Sequence, residues 1–533
     1  MKIRMLPWQP LLKLSVAYFF LSVLLNFDYP ASHLFTWRLL LLSADVWLML
    51  ILMAMAAFLG KRTLFWTSQT LWVLFMTLRL FRIADTVVPQ YLHRQFNLYI
   101  DSAYIYDLYD LLKTSSQGGD FLKLSTVSLT VGLAALAATW YAWHTAARAF
   151  ADRSIRDVFL IGSGLFLCVA VAWGWRAARP PAMIRLAQEI LSIQDQLKQK
   201  RTFRVRLEKT ARERAAPGPA ALKGLGGADV LLFVVESYGR TVFIRPSYRP
   251  AMEATMTRFS QVLHQHGFEA VSAYLVSPTY GGSSWLAHDT LESGVQVEND
   301  LEDTTLLHSS LPPMAAYLRR SGYRTVSVMP GSRFPFPEGA YFDYEQVYYA
   351  RHFDYRGPTF GWAPMPDQYV LDWVRRHEFT RRRQPLFVRY VLISTHASFN
   401  IQPPFIPNWD LIGDGSIYNI RPSINYPIYW PDLKNAGEAY LRSLDYEFET
   451  LGDYLARYVT TESLIIILGD HQPNLQLTEP REPWSVPVHV ISTNPRLLEP
   501  FRKRGYTPGL IPDQPPPHAG METFLPGFLQ DFR

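Results

Sequence analysis

The chain has 533 residues, enough for more than one folding unit, and 49% of them are hydrophobic while 18% are charged. This charged fraction lies below the roughly 25% of soluble domains, a deficit that membrane-spanning segments explain. The net charge of +6 comes without a dense run of Lys or Arg, so the composition argues against a nucleic-acid-binding protein. The one cysteine, Cys168, excludes a disulfide within the chain.

Five apolar segments of membrane-spanning length occupy the first third of the chain. They cover residues 11–27, 39–59, 64–80, 124–143 and 158–175. We therefore predict an α-helical, five-span membrane domain over residues 1–178. Charges inside these segments are few and lie toward their ends, where long side chains reach the surface. Asp45 is the deepest of them, and it keeps a transporter as an open alternative.

Basic residues flank these segments on one predicted side of the membrane. They precede the first segment, follow the second and follow the fourth: Lys2, Arg4, Lys61, Arg62, Arg148, Arg153 and Arg156. The positive-inside rule assigns this side to the cytoplasm. The chain is thus predicted to be a multi-pass protein of the cytoplasmic (inner) membrane, with everything after residue 175 on the periplasmic or extracellular side.

Residues 179–227 join the membrane domain to the rest of the chain. Apolar residues recur there at helical spacing, and basic residues follow: Met183, Leu186, Ile190, Ile193, Leu197, Lys198, Lys200 and Arg201. The pattern predicts an amphipathic helix that either lies on the membrane or packs on the next domain. The turn-rich stretch 217–227 then marks a linker and a domain boundary.

Residues 228–533 show the alternation of strand and helix patterns of an α/β domain. Residues 229–235 are almost continuously apolar, as in a buried parallel strand, and further strands are predicted over 323–328, 386–393 and 464–468. We expect a mainly parallel sheet covered by helices. Ligands of such sheets bind beyond the carboxyl ends of the strands.

Chemically useful side chains follow two of these strands directly. Glu236 follows the first strand, and Asp470 and His471 follow the late strand. Two carboxylates and an imidazole on one rim of the sheet form an oxygen- and nitrogen-rich site that suits a divalent metal ion.

A turn with two serines adds a third element. In residues 279–294, TYGGSSWLAHDTLESG, two glycines precede Ser283 and Ser284, and a helix is predicted to start there. A serine at a helix start is often only a cap. The same position exposes the hydroxyl to backbone N–H groups and to the positive end of the helix dipole, which suits an anionic substrate and a serine nucleophile.

These residues resemble the alkaline phosphatase/sulfatase superfamily. The likeness is to its membrane-bound branch, which is lipoteichoic acid synthase-like and phosphoethanolamine or phosphoglycerol transferase-like. In that superfamily a carboxylate after the first strand, a nucleophile at a helix start and a late Asp-His pair bind the metal. The resemblance implies a sulfatase-like catalytic domain with Glu236, Ser284, Asp470 and His471 as metal ligands.

The resemblance also assigns individual roles. Nucleophiles of the superfamily are followed by small residues at plus three and plus ten, which selects Ser284, with Ala287 and Gly294, over Ser283. Ser283 would then cap the helix or orient the turn. His396 corresponds to a histidine that contacts substrate or transfers a proton. Four further residues are candidates for substrate contact: Ser283, His288, Arg333 and His489. For these residues and for His396, the alternative is a role on the surface or in the packing of the domain.

Departures from the superfamily narrow the implied activity. The x-Pro-x-Arg sequence of formylglycine sulfatases does not follow Ser284, which argues against sulfate ester hydrolysis. The Asp-x-x-x-His pair for a second metal is missing, because Leu371 stands four residues after Asp367, so one divalent ion (Mn²⁺, Zn²⁺ or Mg²⁺) is expected. Lipid A-type phosphoethanolamine transferases carry disulfides that this chain cannot form, which favours a phosphoglycerol or other glycan-modifying branch.

The resemblance therefore implies a metal-dependent phosphotransferase. It would move phosphoglycerol or phosphoethanolamine from a membrane phospholipid to an envelope glycan or lipid, through a phosphoserine-type intermediate on Ser284. The alternatives are a phosphodiesterase or sulfatase-like hydrolase of the same fold and a non-catalytic envelope scaffold.

Overall fold

The computed structural model of the chain divides into two compact units, Met1–Lys198 and Gln199–Arg533. The division falls inside the segment 179–227 to which the sequence assigns a helix and a linker. The structure describes residues 8–27, 43–92, 96–101, 120–172, 182–215, 222–333, 337–380, 384–421, 423–425, 435–460, 462–474, 477–478, 482–512 and 519–533. Lys2, Arg4, the linker residues 217–221 and the predicted end of the last apolar segment lie outside these ranges.

The described residues of the first unit form helices joined by short non-helical stretches. Its helices are α1 (Trp8–Asn26), α2 (Ala44–Ala56), α3 (Lys61–Leu92), α4 (Leu98–Asp101), α5 (Asp120–Phe150), α6 (Arg153–Ala172) and the first part of α7 (Ala182–Ala215). They bury one another through residues such as Leu21, Met49, Phe75 and Trp143. Most of the exposed large apolar side chains of the described chain lie on the outer faces of these helices. Apolar surface of this extent marks contact with lipid or a partner.

Two described stretches, Trp8–Asn26 and Ser125–Phe150, are long and apolar enough to cross a membrane. The prediction of five spans is therefore wrong for the described residues. Ala44–Leu59 is apolar but shorter than a span. Helix α3 carries charged residues such as Arg79 and Asp85 among its apolar ones, and α6 carries charges in its first turns.

Asp45 has a local role within this unit. Its carboxylate accepts the backbone N–H groups of Ala182 and Met183, at 2.8 and 3.2 Å. These N–H groups belong to the first turn of α7, where no carbonyl of the helix itself can reach them. A carboxylate there also faces the positive end of the helix dipole. The contact accounts for the buried charge without a transport function.

The second unit is an α/β domain. Its strands are β1 (Asp229–Val235), β2 (Glu269–Val276), β3 (Arg324–Met329), β4 (Gln346–Tyr349), β5 (Leu386–Leu392), β6 (Ile401–Gln402), β7 (Ile424–Asn425), β8 (Ser463–Gly469), β9 (Ser485–Ser492), β10 (Thr507–Pro508) and β11 (Ala519–Gly520). Besides residues 199–215 of α7, its helices are α8 (Thr241–Ile244), α9 (Arg249–Gln265), α10 (Ser284–Ser293), α11 (Asp300–Leu307), α12 (Met314–Arg320), α13 (Asp367–Val374), α14 (Ile417–Ile420), α15 (Ala436–Tyr458), α16 (Pro495–Lys503) and α17 (Phe524–Asp531).

The main sheet has the order β10-β2-β9-β8-β1-β5-β3-β4, with β11 beside β2. The central pairs β8-β1, β1-β5, β5-β3 and β3-β4 are parallel, whereas β9 runs antiparallel to both β8 and β2. The sheet is therefore mixed, which corrects the prediction of a mainly parallel one. The segment 470–484 between β8 and β9 contains three prolines, and its described residues form no crossover helix of the kind that a parallel pair needs.

Helices cover both faces of this sheet. Alternate residues of β1 enter two different cores, with Leu231 and Phe233 on one face and Val230 and Leu232 on the other. The first core also contains Met256, Phe259, Leu444, Phe448 and Leu451 from α9 and α15. The second contains Leu291, Leu318, Leu498, Phe524 and Phe528 from α10, α12, α16 and α17. This two-sided burial fixes the strand ends at which the candidate residues lie.

Candidate active site

The register of the central strands brings the predicted metal ligands together. Strands β1 and β8 are parallel neighbours, with Val235 opposite Gly469. The next residue on each strand, Glu236 and Asp470, therefore leaves the sheet at the same edge, and His471 follows. The ligand atoms of these three buried side chains all lie within 4.8 Å of one another.

Ser284 reaches the same point from the start of α10. The turn before it has backbone φ angles of +69° at Gly281, +152° at Gly282 and +58° at Ser283. Glycine adopts such angles without a steric cost. Ser283 is held in the left-handed region, a strain that is common near functional sites. It occupies the N-cap position, but its side chain makes no capping hydrogen bond, so the predicted capping role is not observed.

The hydroxyl of Ser284 contacts two members of the cluster. Its Oγ lies 3.0 Å from Oε2 of Glu236 and 3.1 Å from Nε2 of His471. Ser283 lines the adjacent cavity. The geometry thus places Ser284 at the cluster and Ser283 beside it.

The imidazole of His471 is oriented by the backbone. Its Nδ1 lies 2.7 Å from the carbonyl oxygen of Gln472, to which the Nδ1–H donates. This hydrogen bond leaves Nε2 facing Ser284 and the two carboxylates, where the nitrogen is a donor when protonated and a metal ligand when neutral. Histidines that bind metals are held in the same way by a hydrogen bond at the other ring nitrogen.

The cluster is electrostatically unbalanced when it holds only protein groups. Burial and the charge of Glu236 raise the pKa of Asp470 to about 7. Burial lowers the pKa of His471, but Asp470 and Glu236 outweigh it and raise that pKa to about 9. Burial raises the pKa of Glu236, but the charge of His471 outweighs it and holds that pKa well below its usual range. The site thus attracts positive charge.

One oxygen of the cluster is left for a cation. Oδ1 of Asp470 accepts the backbone N–H groups of Ser237 and His471, at 2.8 and 2.7 Å. Oδ2 of Asp470 is buried, accepts no hydrogen bond among the described residues and lies 3.4 Å from Nε2 of His471. Buried carboxylate oxygens are paired or bind metals. The residues therefore fit one divalent ion, and the mixture of carboxylate, imidazole and hydroxyl favours Zn²⁺ or Mn²⁺ over Mg²⁺.

A cavity of about 420 Å³ adjoins the cluster. Its lining includes Ser284, Trp285, His288, Trp362, His396 and Phe399. His396 follows β5 at the same edge of the sheet, and its Nδ1 faces the carbonyl oxygen of Ala397. His288 is buried, its Nε2 has no partner among the described residues, and burial and Arg389 lower its pKa to about 3. A neutral imidazole therefore faces the substrate space.

Two predicted substrate contacts lie elsewhere. His489 is buried on β9, where its Nδ1 lies 2.7 Å from Oγ of Ser272 and its Nε2 lies 3.0 Å from the hydroxyl of Tyr238. Burial lowers the pKa of His489 to about 3, as in a core histidine. Arg333 is exposed and is not among the described residues that line the cavity.

Trp285 and Trp362 also line the cavity, and the sequence pattern predicts neither as a site residue. Trp285 directly follows Ser284, and its indole N–H donates to Asp300 at 3.0 Å. Trp362 follows Gly361 in a tight turn closed by a bridge between Phe360 and Ala363. A Gly-Trp sequence in a turn indicates an exposed aromatic ring. The local sequence does not indicate which site of the folded protein that ring will contact.

No protein-family model and no curated protein matches the sequence. Solved structures do match. One is the lipoteichoic acid synthase of Listeria monocytogenes, with 14% identity over 50% of this chain and 65% of that chain, and a TM-score of 0.34. Another is a phosphoglycerol transferase of Streptococcus pyogenes in complex with sn-glycerol-1-phosphate, with 11% identity, coverage of 63% and 91%, and a TM-score of 0.35.

A third match extends over both units. The integral membrane lipooligosaccharide phosphoethanolamine transferase of Neisseria meningitidis is 12% identical, covers 97% of each chain and has a TM-score of 0.46. At such identities the likeness is one of fold, and the chemistry of the site depends on its own residues.

Proposed function

We propose that the chain is a membrane-anchored, metal-dependent phosphotransferase. It moves phosphoglycerol or phosphoethanolamine from a phospholipid to a hydroxyl of an envelope glycan or lipid. One observation carries the proposal: the Ser284 hydroxyl contacts both Glu236 and His471 in a buried cluster that fits a divalent ion. A bound divalent ion would lower the pKa of that hydroxyl and neutralise charge on the phosphate.

In the first half-reaction, Oγ of Ser284 attacks the phosphorus of the donor phosphodiester and its proton is lost to solvent. The Oγ–P bond forms as the bond from phosphorus to the oxygen of diacylglycerol breaks. His396 donates a proton to the departing oxygen, so diacylglycerol leaves as a neutral alcohol. Phosphoglycerol or phosphoethanolamine remains esterified to the serine.

In the second half-reaction, a hydroxyl of the acceptor attacks the same phosphorus. The neutral His396 now accepts the proton of that hydroxyl, and the Oγ–P bond breaks. Oγ of Ser284 takes a proton back from solvent, which restores the hydroxyl, and the group ends on the acceptor. Trp285, Trp362 and the neutral His288 form part of the wall along which donor and acceptor enter in turn.

The first unit would hold the enzyme next to its lipid donor. Its exposed apolar helices support a membrane anchor, and the donor is itself a membrane component. We place the protein in the cytoplasmic membrane as a multi-pass protein. The periplasmic or extracellular side for the catalytic unit is a proposal that rests on the five apolar segments of the sequence, because the positive-inside rule gives this side only with an odd number of spans.

The covalent intermediate provides the test. The full chain in detergent, loaded with Mn²⁺ or Zn²⁺, is incubated with phosphatidylglycerol or with phosphatidylethanolamine and analysed by intact-mass spectrometry. We expect a mass gain that matches phosphoglycerol or phosphoethanolamine. Ser284→Ala should lack this adduct, and the neighbouring Ser283→Ala, the matched control, should keep it. Absence of the adduct in the metal-loaded wild type, or its persistence in Ser284→Ala, would contradict the proposal.

A product assay separates transfer from hydrolysis. With a glycan acceptor present, a transferase attaches the group to the glycan. A phosphodiesterase releases free glycerol phosphate or phosphoethanolamine whether or not the glycan is added. We expect the glycan-bound product to predominate.

A further inference from the structure

The nucleophile helix α10 is short and buried. It spans ten residues from Ser284 to Ser293, and residues 286–293 are all buried. The last turn of a helix leaves carbonyl oxygens without partners inside the helix. The carbonyl oxygens of Ser293 and Gly294 both accept hydrogen bonds from the guanidinium of Arg214, and the second bond measures 2.7 Å.

Arg214 fits this position closely. Gly294 has a left-handed φ of +62°, and a Cβ added there would lie 2.9 Å from Nη2 of Arg214. A cation at the C-terminal end of a helix also interacts favourably with the helix dipole. The guanidinium therefore satisfies the carbonyl groups at the end of the helix that Ser284 begins.

The segment Gln199–Ala215 of α7 contacts α10 at a second place. Phe203 and Leu207, which are 2% and 1% exposed, share a hydrophobic cluster with Leu286 in the first turn of α10. Val295 and Val297, just beyond the helix, complete that side of the cluster. Arg206 adds a hydrogen bond of 2.9 Å from its guanidinium to a backbone carbonyl of the same stretch, that of Gln296.

We infer that the segment Gln199–Ala215 positions the nucleophile, with Arg214 as its main positioning residue. The segment packs under the first turn of α10 and holds the carbonyl groups at its last turn. It thereby fixes where Oγ of Ser284 lies relative to Glu236 and His471. The inference rests on the proposed function, in which Ser284 is the nucleophile. A misplacement of reacting atoms by about 1 Å lowers a rate about 100-fold.

The test uses full-chain variants. Arg214→Met should lower kcat for adduct formation about 10- to 100-fold, with KM and bound metal unchanged. Arg214→Lys should restore part of the rate, because an ammonium group still donates to one of the two carbonyl groups. Arg212→Met is the matched control, since Arg212 lies on the same helix with an exposed side chain paired to Glu208 at 3.6 Å.

Hydrogen exchange gives a readout that does not depend on activity. Amides of residues 284–294 should exchange faster in Arg214→Met than in Arg212→Met. If Arg214→Met fails to fold, kcat and hydrogen exchange are measured on Arg214→Lys and Leu207→Val instead. An active wild type with equal kcat and equal exchange in Arg214→Met and Arg212→Met would overturn this inference alone. Absence of any adduct in the wild type would instead overturn the proposed function, and the exchange measurement would still decide the positioning role.

Discussion

The indole of Trp362 lies flat against the imidazole of His396, with ring centroids 4.1 Å apart and planes tilted by 17°. Both rings line the cavity beside Ser284. Stacking holds the imidazole in one orientation and shields one of its faces from water. In the proposed reaction, the direction in which His396 would deliver a proton is therefore set by a residue on a different loop.

Removal of this ring should slow proton delivery. We expect Trp362→Ala to lower kcat about tenfold, a part of the 10²- to 10⁴-fold that a positioned general acid supplies. Trp362→Phe should keep most of the rate, because a phenyl ring still stacks. The measurement is diacylglycerol release as a function of pH. Equal rates in Trp362→Ala and the wild type would show that the stack does not position His396.

Loss of Asp470 should remove the metal without destabilising the metal-free protein. Glu236 and Asp470 repel each other when no cation is bound, so Asp470→Asn relieves this repulsion. We expect added Mn²⁺ or Zn²⁺ to raise Tm in the wild type and to leave Asp470→Asn unchanged. In the presence of a chelator, Asp470→Asn should be at least as stable as the wild type.

Thermal unfolding with and without chelator, together with metal analysis, checks this prediction. Asp410→Asn serves as the control, because Asp410 is an exposed carboxylate of the same unit. A metal-induced rise in Tm that persists in Asp470→Asn would place the ion elsewhere.

The ion pair between Arg389 and Glu292 should support the fold. Arg389 on β5 pairs with Glu292 on α10, and the two side chains are 3% and 0% exposed. The hydroxyl of Tyr344 donates to the other oxygen of Glu292 at 2.7 Å. Loss of one partner leaves a buried charge unpaired, so Arg389→Met or Glu292→Met should cost about 3–5 kcal/mol.

The double variant provides the control for this pair. Because it removes both charges, Arg389→Met with Glu292→Met should cost less than either single change. Urea denaturation followed by tryptophan fluorescence measures all three variants. Additive costs would show that the two residues do not interact.

A second buried carboxyl pair should make stability depend on pH. Asp367 accepts the backbone N–H groups of Ile393 and Ser394, at 2.8 and 2.6 Å, below the loop that carries His396. Burial raises the pKa of Asp367 to about 6. Burial and the neighbouring Asp367 raise the pKa of Glu447 well above its usual range.

The direction in which stability changes with pH follows from which state, folded or unfolded, holds more protons. Both folded carboxyl groups keep protons that an unfolded chain releases near pH 4. The stability contributed by the pair is therefore complete below about pH 4. The part from Asp367 is lost as the pH rises through about 6, and the part from Glu447 is lost as the pH rises through its raised pKa. Glu447→Gln removes one titrating group, so its stability relative to the wild type should increase between pH 5 and 8. The control is Glu438→Gln, an exposed site on the same helix. Parallel stability curves for Glu447→Gln and the wild type would contradict the prediction.

The candidate cluster could be assembled from sequence because its residues directly follow apolar strands. Glu236 and Asp470 each come one residue after a buried strand, and parallel neighbours end at the same edge. His489 shows where prediction of site residues from strand patterns fails. All eight residues of β9 are buried, so the sequence pattern does not show whether His489 faces a cavity or the core. The antiparallel direction of β9 could not be predicted for a related reason, since strand periodicity carries no information on the direction of a strand.

Contacts between segments that are distant in the chain could not be predicted from the sequence either. Trp362 and His396 meet only because the loops after β4 and β5 lie at one edge of the sheet. Two of the predicted spans differ from the helices that contain them: α3 continues beyond residue 80 and carries Asp85 besides Arg79, and the apolar stretch Ala44–Leu59 is shorter than a span.

The packing of α7 on α10 has a practical consequence for where the chain can be cut. A soluble fragment that starts after the turn-rich stretch 217–227 lacks Phe203, Leu207 and Arg214. Leu286 and Val295 would then face water, and the last carbonyl groups of α10 would lose their donor. An inert fragment of that kind would report on the missing helix and not on the chemistry of Ser284. A fragment that begins near Gln199 keeps the segment and is the smaller piece on which activity can be judged.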